Sequence, residues 1–150
     1  MNAIGTKPQS GDPIAAAEQF ATSLRRQGFL LDFSCQSLET EIDRMFDLPL
    51  FHCGRQGLPT IEQARNESGL AAYLGETLRR RYSGEWQGEF YPESPHLNFY
   101  SSFIRFRQYQ YFPSSFVGYR LSNGSSEGTF AEYLRQIISK IQEATISGVD

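Results

Sequence analysis

The chain has little of what most recognisable chemistry needs. Of its 150 residues only two are cysteine and two are histidine. Cys35 and Cys53 form no CxxC pair, so neither a zinc ribbon nor a dithiol redox centre can be read from them, and reduced structural thiols are expected. His52, Cys53 and His96 are a thin basis for a metal site. His52 and Cys53 are adjacent and so point in different directions, and His96 belongs to a distant loop. A Cys–His nucleophile would also require the groups to meet beside an oxyanion hole, which no local pattern supplies. Gly-rich phosphate loops and HExxH are missing, which counts against the common NTPase and zinc-peptidase classes. No catalytic residue, metal or cofactor is assigned on this basis.

Long apolar runs are missing too. No stretch approaches the ~18 residues of a membrane span, and the polar opening MNAIGTKPQSGDP lacks the apolar centre of a signal peptide. The formal net charge is −3, and there is no RNP-type signature, so nucleic acid is not an expected partner. A soluble cytoplasmic protein with neither a membrane nor a nucleic-acid partner is the expectation.

What the chain does have is aromatic side chains. They are 14% of the sequence, and at ~150–250 Å² buried per ring they are expected to supply much of the core. The length suits one domain that folds without disulfide or metal. We expect a tail over residues 1–12, a single α+β domain over 13–145, and a flexible end over 146–150.

Helix signals come first. Asp12 can cap a helix with Pro13 in its first turn. Ile14, Ala17, Phe20, Ala21 and Leu24 mark one face, and Gly28 ends it. A second helix is expected from Ser34–Ser37. It carries Leu38, Ile42, Met45 and Phe46 inward and Glu39, Glu41 and Asp43 outward. Residues 47–59 hold two prolines and two glycines and read as a loop. Thr60 and Gln63 have capping-box spacing, and a third helix is expected from there to about Tyr82, with a possible break near Gly69. Its apolar positions include Leu70, Tyr73, Leu74 and Leu78.

Strand signals follow. Gly84 opens a strand over Glu85–Phe90, with Trp86, Gly88 and Phe90 on one face. Pro92 and Pro95 bracket a turn. Residues 97–112 are rich in strand formers, and a split is expected near Ser101–Ser102. Beyond it, Phe103, Arg105, Arg107, Tyr109 and Tyr111 alternate with Ile104, Phe106, Gln108, Gln110 and Phe112. A short helix over Ser114–Leu121 is expected to end at Asn123–Gly124. A second capping box, Thr129–Glu132, opens a last helix carrying Phe130, Leu134, Ile137, Ile138 and Ile141. The sum is α+β: a short antiparallel meander of about three strands packed against several helices, which cover one face.

Three segments resemble a bacterial family of unknown function over roughly residues 28–135. LDFSCQSLETEIDRMF resembles that family's LDYSxxSLxxLD start, GLAAYLGETLRRRYSGEW its GAYLGExxxRxxGGxW centre, and FPSSFVGYRLSNG the proline-containing segment after its meander. The resemblance implies a small α+β domain and brings no catalytic residues. The chain departs from the pattern at Arg81–Tyr82–Ser83, where the family often has a second glycine before Gly84.

Two clusters are candidate sites. Tyr73, Glu76 and Trp86 could line a small-ligand or enzymatic pocket between the third helix and the sheet. Glu76 would then be a tuned acid or base; otherwise it is an ion pair with Arg80 at i, i+4. Gly75 beside it costs about 1 kcal/mol relative to Ala, which close approach of another backbone would justify. Arg105, Arg107, Tyr109 and Tyr111 could form a protein-interaction surface, since Arg and Tyr are enriched at interface hot spots. The run Arg79–Arg80–Arg81 fits a helix C-terminus. The favoured function is a non-catalytic protein-interaction or regulatory module, binding a protein partner or itself. The alternatives are the pocket just described and an immunity-like partner of a toxin or effector. Trp86 is expected as a core anchor near Tyr73 or Leu74.

Overall fold

The structure is a computed structural model that describes residues 11–45, 51, 60–90, 102–115, 117–118 and 130–147. Its fold is α+β. Five helices are used below: α1 (Pro13–Arg25), α2 (Cys35–Thr40), α3 (Ile42–Met45), α4 (Ile61–Tyr82) and α5 (Phe130–Ser147). Strands β1 (Glu85–Gly88), β2 (Ser102–Phe106) and β3 (Tyr109–Tyr111) form an antiparallel sheet in the order β1-β2-β3. The expected turn at Pro92–Pro95, the loop over 47–59 apart from Phe51, the Asn123–Gly124 stop and residue Thr129 lie outside the described residues. Residues 113–115 and 117–118 are helical, in agreement with a short helix after the sheet.

The two longest early elements follow their caps. The Asp12 carboxylate accepts the Ile14 N–H at 3.0 Å. α1 closes through bonds from Gly28 N–H to Leu24's neighbour Arg25 O and from Phe29 N–H to Leu24 O, with Gly28 at φ +98°. Thr60 and Gln63 complete a reciprocal capping box at the start of α4. α4 then runs unbroken through Gly69, where the sequence allows a break. Gly69 serves packing instead: the Phe20 ring of α1 lies so close that an added Cβ would sit 2.8 Å from its Cδ1.

The second expected helix is divided. α2 and α3 are separated at Glu41, and Glu41 does not face outward: it is buried. Its Oε1 accepts the Leu30 N–H and an Arg44 guanidinium N–H, and its Oε2 accepts the Thr40 hydroxyl. Asp43, also expected outside, turns its carboxylate to the first turn of α5, accepting the Phe130 N–H at 3.0 and 3.2 Å.

The sheet corrects a further expectation. Residues 103–112 are not one strand but a hairpin turning at Arg107–Gln108, with Phe106 opposite Tyr109, Arg105 opposite Gln110 and Ile104 opposite Tyr111. A two-residue loop swaps the parity of alternation, so even-numbered β2 residues share a face with odd-numbered β3 residues. Ile104, Phe106 and Tyr111 are therefore buried together on the face against which α4 and α5 pack. Arg105 and Gln110 are exposed on the other. β1 stops at Gly88, whose φ of +85° ends the period-two pattern before Phe90.

Candidate functional site

Glu76 lies in the last third of α4 with no exposed side-chain surface. Such a carboxylate is tolerable only if its oxygens are satisfied, and here each has two donors. Oε1 accepts Arg79 Nε at 2.7 Å and the Trp86 indole N–H at 3.0 Å. Oε2 accepts Arg79 Nη2 at 2.7 Å and Arg80 Nε at 2.7 Å. The helix itself makes this possible, since residues three and four apart share a face. Burial alone would push the Glu76 carboxyl up. The hydrogen bonds from Arg79, Arg80 and Trp86 outweigh it and hold the group below the usual glutamate range. A carboxylate so held is a poor proton carrier near neutral pH, because its acid form is scarce.

Each of the expected trio has its polar group engaged in hydrogen bonds. Tyr73 is fully buried, and its hydroxyl is engaged by the Phe33 N–H at 3.0 Å and the Ser37 hydroxyl at 2.6 Å. Burial pushes its phenol up despite those bonds. Trp86 is half-buried rather than a core anchor. It reaches α4 at Gly75, next to Leu74: an added Cβ at Gly75 would meet Trp86 Cη2 at 2.5 Å and Ile104 Cδ1 at 2.7 Å. The glycine in the helix thus lets the sheet come close enough for the indole to reach Glu76. A cavity of about 490 Å³ lies along the seam between α1 and α4, and none of Tyr73, Glu76 or Trp86 lines it.

The arginine triplet is divided in its tasks. Arg79 forks onto Glu76. Arg80 bonds Glu76, reaches Glu18 at 3.4 Å, and stacks its guanidinium 3.8 Å from the centroid of the Phe33 ring. Phe33 sits at φ +63°, a left-handed conformation that is costly for an aromatic residue, and is held there by Arg80 on one side and the Tyr73 ring at 4.8 Å. Arg81 is exposed.

The expected interaction surface is also divided. Arg105 is exposed, and Arg107 is exposed in the hairpin turn at φ +56°. Tyr109 is half-buried and stacks with Tyr111 at 6.5 Å. Tyr111 is a core residue, its hydroxyl 2.9 Å from that of Tyr133 on α5, so it is removed from any surface. The parity swap at Arg107–Gln108 is the cause. Cys35 is a half-buried free thiol whose burial pushes it up, which makes it a weak nucleophile. His52, Cys53 and His96 lie outside the described residues, and among the described residues no three His, Cys, Asp or Glu side chains converge as a metal site. No helix there is long and apolar enough to cross a membrane.

Sequence reasoning missed the buried Glu41 and the Asp43 cap. Both look like outward polar positions of one helix, and only the division at Glu41 redirects them. In comparisons with protein-family models, curated proteins and solved structures, nothing matches the chain.

Proposed function

We propose that the chain is a non-catalytic protein-interaction or regulatory module working in the cytoplasm, and that its contact surface centres on Arg105 beside the β2–β3 turn. One observation carries the non-catalytic reading: the carboxylate best placed for acid–base work, Glu76, is consumed by four hydrogen bonds. Arg105 supports the surface. It is exposed in mid-sheet, opposite Glu85 on one side and Gln110 on the other, and no hydrogen bond or ion pair holds its side chain among the described residues. An arginine in that state suits an acidic partner surface or a second copy of the chain. Crosslinking in native lysate and sedimentation of the purified protein, each compared with Arg105→Glu/Arg107→Glu, test the surface. Loss of a captured partner or a shift in oligomeric state is expected. An unchanged partner set together with unchanged sedimentation would remove it.

A further inference from the structure

The face of the sheet turned away from α4 and α5 carries charges of both signs side by side. Period-two alternation puts Glu85 and Gln87 of β1, Phe103 and Arg105 of β2, and Gln110 of β3 on it. Glu85 lies directly opposite Arg105 in the register, and both are exposed. Cross-strand neighbours of opposite sign attract one another, yet these two do not join. Glu85 turns along its own strand, where its Oε1 accepts a hydrogen bond from Gln87 Nε2 at 3.1 Å. Its Oε2 is left without a protein donor among the described residues, and the Arg105 guanidinium is left without an anion.

An acid and a base in one cross-strand row form a self-complementary pair. A two-fold axis that runs along the strands, midway between β1 and β2, exchanges their two columns. It lays Glu85 of one copy over Arg105 of the other, and Arg105 over Glu85. The same rotation sets the half-buried Phe103 ring of each copy over Gln87 of the second. Contacts of this kind, in which residue i meets j and j meets i, make the commonest oligomers. Sheets that pack face to face also keep their strands nearly aligned, as this axis does. We propose that the outer face of the sheet pairs with the same face of a second copy of the chain, through reciprocal Arg105–Glu85 ion pairs. The proposal rests on Arg105 as the contact surface and names its occupant, an identical chain. Strands of three to five residues give a face well under the ~800 Å² per partner of a stable complex. The dimer is therefore weak, with a dissociation constant on the order of 10–100 μM.

Charge reversal with mixing tests it, read by sedimentation equilibrium up to about 1 mM protein, with circular dichroism as the check on folding. The parent should show a reversible monomer–dimer equilibrium. Arg105→Glu and Glu85→Arg each set like charges against one another twice across the two-fold, and each should weaken the dimer about tenfold or more. An equimolar mixture of the two should associate again, because the new glutamate of one faces the new arginine of the other. Neither variant regains the lost attraction within its own chain, so recovery in the mixture reports pairing between chains. Arg105→Gln and Glu85→Gln put no like charges opposite one another within a chain. They should weaken the dimer in the same direction and cover the case in which a reversal disturbs the sheet. A parent that stays monomeric throughout, or a mixture of folded variants no more associated than either alone, would overturn the proposal. In that event a lysate partner lost with Arg105→Glu leaves the Arg105 surface standing, with an acidic protein as its occupant. A parent dimer that no variant weakens, with lysate partners also unchanged, would overturn the pairing and the surface alike.

Discussion

A carboxylate with no exposed surface is stable only when every oxygen has a donor, and Glu76 draws its donors from two elements: Arg79 and Arg80 from its own helix, Trp86 from β1. The indole bond is the one that fastens helix to sheet. Trp86→Phe keeps most of the ring and removes the N–H, and should cost about 1–2 kcal/mol, the range of a hydrogen bond to a charged group. Trp86→Ala also uncovers Gly75 and should cost about 2–4 kcal/mol, below the upper end for fully buried tryptophan because this one is half-buried. Chemical denaturation measures both, and two variants that unfold with the parent would show that the ring holds nothing. Ser83 offers the opposite change. It closes α4 in the left-handed conformation, φ 58° and ψ 46°, which residues other than achiral Gly adopt at a cost. Ser83→Gly should stabilise by about 0.5–1 kcal/mol once the added freedom of the unfolded chain is subtracted. A melting temperature that falls would contradict the strain.

At the scale of elements, α5 depends on a side chain from α3. Asp43 accepts the Phe130 N–H with both oxygens, joining two helices that are far apart in the chain and placing a negative charge at a helix N-terminus. Asp43→Ala should lower stability by about 1–2 kcal/mol, as loss of a cap does, and Asp43→Asn by less. Urea unfolding of the three proteins would decide it, and an alanine variant equal to the parent would contradict the cap. Elements of this kind separate what the sequence reveals from what it hides. α1 and α4 are legible because cap, apolar period and stop all agree, from Asp12 to Gly28 and from Thr60 to Tyr82. The division of α2 from α3 is hidden, because Glu41 is polar and fits an outward position until Leu30 and Arg44 enclose it. The hairpin is hidden because its loop, Arg107–Gln108, has none of the Asn or Gly that mark two-residue turns. Arg107 carries the positive φ itself. With the turn unseen, alternation alone places Tyr111 on the arginine face, whereas the hairpin buries it beside Ile104.

Across the whole molecule, the Glu76 cluster ties stability to pH. A folded-state value held below the ordinary 4.5 means that the unfolded chain binds the proton more readily. The stabilisation is complete above that ordinary value and is lost as pH falls through the lower, folded value. Glu76→Gln should remove this part of the acid limb and lower stability at pH 7 by about 2–4 kcal/mol, since Arg79 and Arg80 are left partly buried without their anion. The central claim is that Glu76 locks α4 to the sheet and does no proton chemistry. Direct titration of the Glu76 side-chain carboxyl by carbon NMR tests it. The account predicts a single midpoint below 4.5, moved upward by Trp86→Phe. A midpoint well above that value in the folded parent would contradict the lock and return Glu76 to the list of acid–base groups.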